Sequence, residues 1–88
     1  MSQFYGMVVE EVQQLSAQFN RSADEIQQLV NTLTSKINSA SWVGPDRDRF
    51  VNDWTSQHVP QLNAVMHALQ NAGNLAQQNA QQQATASS

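Results

Sequence analysis

The 88-residue chain has no cysteine, only two prolines and three glycines, and only four basic side chains. Without cysteine there are no disulfides, no thiolate metal ligands and no thiol nucleophile. The basic residues Arg21, Lys36, Arg47 and Arg49 do not cluster, and the formal net charge is −3 with a pI near 5.0. Nucleic acids and anionic membranes both select clustered Lys and Arg, so neither is an expected partner. Charged residues make up 12% of the chain and hydrophobic ones 40%, which leaves Gln, Asn, Ser and Thr to solvate the surface. The opening stretch "MSQFYGMVVEEV" has no basic n-region and no long apolar run, so neither a cleavable signal peptide nor a membrane anchor is expected there. A chain of this length builds one small domain with a thin core, which makes help from a second chain an expectation.

What is present is helical periodicity. Val8, Val12, Leu15, Phe19, Ile26, Leu29 and Leu33 recur at spacings of four and three, interrupted only by Ser22. With Val12 and Leu15 as heptad positions a and d, the e column reads Val9, Ser16, Ala23, Val30 and Ile37, apolar or small throughout. A lone hairpin needs one narrow stripe per helix, so this wider face predicts a dimer that forms a four-helix bundle. Glu10 and Glu11 near the start and Lys36 near the end complement the helix dipole. Helix one is expected over about residues 7–39, a rod roughly 50 Å long. Ser22-Ala23-Asp24-Glu25 imitates a capping box, but the heptad pattern runs through it unbroken.

The stretch "SASWVGPDRDRF" ends that helix. Gly44 can take a positive φ, and Pro45 suits the first position of a following helix, where its missing N–H costs nothing. Asp46 and Asp48 then complement the new dipole, which explains them without chelation. The turn is placed at 40–45 and helix two at about 46–76. In helix two Phe50 and Trp54 stack at i, i+4, and Leu62, Val65, Leu69, Ala72 and Ala76 follow at helical spacing. Pro60 removes the bond to the Ser56 carbonyl, which predicts a kink near 56–60. Residues 77–88, rich in Gln, Ala and Ser, read as a flexible tail beyond a 1–76 helical hairpin.

Other candidates have bland explanations. His58 falls on the apolar side of helix two, where a structural histidine outweighs a pH switch. His67 is too far along the chain to make a zinc site with it. Arg49 and Asp53 form an i, i+4 surface pair. Asn20-Arg21-Ser22 matches a glycosylation sequon in mid-helix, a common chance match. No nucleophile–base set and no phosphate loop occurs, so neither catalysis, a cofactor nor a metal is expected.

Trp42-Val43-Gly44 lies mid-chain between two amphipathic helices, with Phe50 eight residues after the tryptophan. This arrangement resembles the WXG family of roughly hundred-residue type VII (ESX-type) secretion proteins. The resemblance covers nearly the whole chain in length, two-helix layout, missing signal peptide and missing cysteine, with Trp42 and Gly44 as its sharp positions. It implies a helical hairpin that pairs with itself or a related WXG protein into a four-helix bundle and leaves the cell folded, through a membrane ATPase machine. It also implies that the Trp-x-Gly corner contributes to an export signal completed by the partner's C-terminal segment. The family's usual Tyr-x-x-x-Asp/Glu after helix two is missing here: the only tyrosine is Tyr5, and Leu75-x-x-x-Asn79 has the placement without phenol or carboxylate.

The expected fold is therefore all-α, an antiparallel two-helix hairpin pairing into a dimeric four-helix bundle. Its dimer interface is assigned to Val12, Leu15, Phe19, Ile26, Leu29, Leu33, Leu62, Val65 and Leu69, its hairpin turn to Pro45, and its recognition motif to Trp42 and Gly44. The expected role is binding, as a secreted substrate or the folded partner that carries one. It would be cytoplasmic before export and extracellular or cell-surface after it. The rival is a cytoplasmic helical-hairpin adaptor that needs Trp42 only for packing. Membrane disruption is the weakest reading, because the polar faces lack the cations that draw a helix to anionic lipid.

Overall fold

A computed structural model describes residues 8–87 of the chain. Helix α1 spans Val9–Ser39, α2 Pro45–Asp53 and α3 Val59–Ser87, with a five-residue π-helical turn, Trp54–His58, joining α2 to α3. The first limb is α1; the second is α2, the π-turn and α3. The limbs run antiparallel, with α1 packed along α3, and form a rod of 66 × 17 × 16 Å. No strand occurs among the described residues.

The hairpin seam is built from small side chains. Ser16, Ala23 and Val30 of the e column are buried in α1, facing Met66, Gly73 and Ala80 of α3. Ser16 Oγ donates to the Gly73 carbonyl at 2.7 Å, which pins the register. One heptad away in opposite directions, Ala23 comes level with Met66 and Val9 with Ala80. A Cβ on Gly73 would lie 3.1 Å from the Ser16 carbonyl oxygen and 3.2 Å from Phe19 Cβ, so the backbones approach closely there. No large side chain is fully buried in the described chain, as the sequence's thin core anticipates.

Helix α1 is continuous across Ser22-Ala23-Asp24-Glu25, in agreement with its heptads. It ends at Ala40, where the backbone turns extended (φ −66°, ψ 142°). The kink expected at 56–60 takes the form of the π-turn: the Val59 N–H reaches back five residues to the Trp54 carbonyl, just ahead of Pro60. The helix does not stop there, because the seam spacing resumes at Met66 and Gly73.

One boundary differs from expectation. Helix two does not end near 76 in a flexible 77–88 tail; α3 stays helical to Ser87. Ala80, level with Val9 at the start of α1, is 0% exposed and Gln83 is half-buried, so the segment is packed and not free. Alanine and glutamine are good helix formers, and alanine at the inward position suits the close approach of this seam. Low apolar content here accompanies a narrow interhelical gap and not disorder.

Candidate functional site

Two surfaces lie outside this seam: the corner at one end of the rod and an apolar row along its side. At the corner Gly44 adopts φ 127° and ψ 179°, a region essentially reserved for glycine. Nothing lies within 4 Å of the position its Cβ would take, so backbone conformation alone demands glycine here. The Gly44 carbonyl accepts the first helical bond of α2 from the Asp48 N–H at 3.1 Å, and Pro45 occupies the first helical position. Asp46 and Asp48 sit in the first turn as expected.

The charged pairing differs from the sequence reading. Arg49 lies 4.0 Å from Asp46, one turn back, and not with Asp53; Arg47 lies 3.6 Å from Asp48. Both are solvent-screened pairs that contribute little to stability. No metal-binding group of three or more His, Asp or Glu side chains occurs among the described residues.

The aromatic pairs also rearrange. Phe50 does not pair along the helix with Trp54; its ring sits against Trp42, with centroids 5.4 Å apart and planes tilted by 54°. Trp54 instead donates its indole N–H to Thr34 Oγ1 at 2.9 Å and lies beside the His58 ring at 6.2 Å. The two tryptophans thus have different surroundings. Trp54, half-buried and hydrogen-bonded across the limbs, is the aromatic that ties the hairpin end together. Trp42 is 42% exposed and Val43 95% exposed, and among the described residues the Trp42 indole N–H has no hydrogen-bond partner. His58 is exposed, unlike the half-buried Leu62 one turn on, so the apolar placement expected for it is not seen.

Along the side of the rod, the d column of α1 points outward: Val8, Leu15 and Leu29 are among the most exposed large apolar residues. Val65 and Leu75 of α3 are equally uncovered. Of the nine residues assigned to an interface, Leu15, Leu29 and Val65 are exposed, whereas Val12, Phe19, Ile26, Leu33, Leu62 and Leu69 are half-buried at the seam margin. Leu15, Phe19, Ser22 and Leu69 line one shallow depression, which brings part of the set together across the two limbs. Leu75 and Asn79 lie exposed on a continuous α3, and Tyr5 lies outside the described residues.

No helix among the described residues is long and apolar enough to cross a membrane. Compared with protein-family models, with curated proteins and with solved structures, the chain matches none of them.

Proposed function

We propose that this chain is a small type VII (ESX-like) secretion protein, an exported substrate or the folded partner that carries one, acting by protein–protein binding and not by catalysis. The observation that carries the reading is the corner. Trp42 and Val43 stand exposed at the tip of a rod, displayed by a glycine whose backbone no other residue adopts comfortably, while a different tryptophan holds the fold. An exposed indole with an unpartnered N–H, fixed on a turn, has the form of a recognition element.

The uncovered row through Leu15, Leu29 and Val65 supports the second half of the proposal, pairing into a four-helix bundle with a second copy or a related chain. Export would then run through a secretion-system ATPase, from the cytoplasm to the medium or cell surface. In a host with that machinery, a Trp42→Ala chain should keep its helical circular dichroism and lose most of its export. Undiminished export of the folded variant removes Trp42 from recognition. Sedimentation equilibrium tests the pairing: the parent should be a dimer at micromolar concentration, weakened by Leu15→Gln with Leu29→Gln while helix content remains.

The rival adaptor reading draws on one feature, the Leu75-x-x-x-Asn79 register where the family carries Tyr-x-x-x-Asp/Glu. A chain found only in the cell fraction of an intact, secretion-competent culture favours it.

A further inference from the structure

We propose that the π-turn Trp54–His58 is a hinge about which α2 and the Trp42–Gly44 corner move as one body, clasped to α1 by the hydrogen bond from the Trp54 indole to the Thr34 hydroxyl. This does not rest on the export reading; it concerns what the end of the rod does whatever binds it.

Burial argues first. The buried seam of the described chain runs through Ser16, Ala23, Val30, Met66, Gly73 and Ala80, all on α1 and α3. Helix α2 has no buried residue, and its best-covered apolar side chain, Val51, is only half-buried. Segments with little burial open locally at low free energy, ahead of the rest of the molecule.

The backbone supplies the pivot. Pro60 has no N–H to return to the Ser56 carbonyl, and the helix crosses this point by a five-residue-back bond, from Val59 N–H to the Trp54 carbonyl. Proline and π-turns are both places where helices bend, and here they adjoin. Beyond the pivot the parts hold together. The Trp42 ring lies on Phe50 and the Asp48 N–H bonds to the Gly44 carbonyl at 3.1 Å, which tie the corner to α2; the Trp42 backbone N–H also bonds back to the Ala40 carbonyl at 2.9 Å, so the chain must flex there too when the corner moves.

The clasp is one bond. The Trp54–Thr34 contact, at 2.9 Å and part-buried, joins the pivot to α1. When it opens, the half-buried Leu33, Ile37, Val51 and Trp54 at this end become accessible and the direction of Trp42 relative to the rod changes.

Residue-resolved amide hydrogen exchange on the full chain tests this. Once swung off α1, nine residues are too few to stay helical alone, so amides 49–53 should share one protection factor, lower than that of 66–80, with a step across the π-turn. Thr34→Val, which keeps the shape and removes the acceptor, should raise exchange at 49–53 about five-fold, the effect of one net hydrogen bond, and leave 66–80 unchanged. Pro60→Ala, which restores an N–H for Ser56, should slow 49–53. A smooth gradient from Pro45 inward means end fraying and overturns the hinge. So does a Thr34→Val effect that is absent or equal at 49–53 and 66–80, and so does a Pro60→Ala chain whose α2 exchanges as fast as the parent's.

Discussion

Replacing Gly73 by alanine sets two effects of known size against each other. In a helix interior the change from glycine to alanine favours folding by about 0.8–1.0 kcal/mol. Gly73 lies well inside α3, so that gain applies in full. Against it stands the seam. The new methyl would meet the Ser16 carbonyl oxygen at 3.1 Å and both Phe19 Cβ and Asn20 Oδ1 at 3.2 Å. The Asn20 side chain can swing aside, but the Ser16 carbonyl and Phe19 Cβ are attached rigidly to α1. The helices must separate by a few tenths of an ångström, which also stretches the 2.7 Å bond between the Ser16 hydroxyl and the Gly73 carbonyl. Overpacking of this kind costs about 1–3 kcal/mol.

The net expectation is a loss of about 1 kcal/mol, or roughly 4–8 °C in Tm for a domain of this size. Urea denaturation followed by helical circular dichroism measures it, at one fixed protein concentration because self-association would shift the midpoint. Asn74→Ala, one residue on and exposed, is the control: it carries only the propensity gain and should stabilise by roughly 0.5 kcal/mol. If Gly73→Ala stabilises by the full propensity difference, the limbs are free to move apart and the close-approach account of the seam is wrong.

Three further substitutions probe the ends of the rod. Ala80→Leu should destabilise by about 1–3 kcal/mol because Ala80 is wholly buried, whereas a free tail would tolerate it; the same denaturation assay decides. Gly44→Ala should cost about 1–3 kcal/mol through backbone strain alone, since nothing lies where its methyl would go, and D-alanine placed there by chemical synthesis should cost less, because φ 127° and ψ 179° mirror the ordinary extended backbone of an L residue. Trp42→Ala should lower stability by no more than about 1 kcal/mol, mainly from the lost Phe50 contact; a cost of 3 kcal/mol or more would make Trp42 a core residue.

The helical hairpin was legible because its signals are local and strong. Heptad spacing placed α1, and the Gly44-Pro45 pair placed the corner with its helix start. Pro60 located the irregularity in the second limb, though a proline says only that an α-helical bond is missing, and the π-turn that replaces it depends on how the limbs pack. The segment after residue 76 was misread because a composition of Gln and Ala is shared by disordered tails and by helices that pack through small side chains. Only the partner limb distinguishes them. The aromatic pairing was hidden for a related reason: Phe50 lies four residues from Trp54 and eight from Trp42, and it is the turn geometry that delivers it to Trp42.

Periodicity also names an apolar face without saying which column of it turns inward. Here size decides. Ser16 and Ala23 on α1 meet Gly73, Met66 and Ala80 on α3, and the backbones come close enough at Gly73 to leave no room for a methyl. With Ser16 facing Gly73 at that approach, Leu15 and Leu29, about a hundred degrees around the helix from the buried e column, are left facing out. The tight hairpin and the uncovered row are therefore one design choice: the closer the limbs approach through small residues, the less of each helix's apolar face they can cover for one another. A chain that widened the seam enough to admit Leu15 would lose the Ser16–Gly73 bond that sets its register.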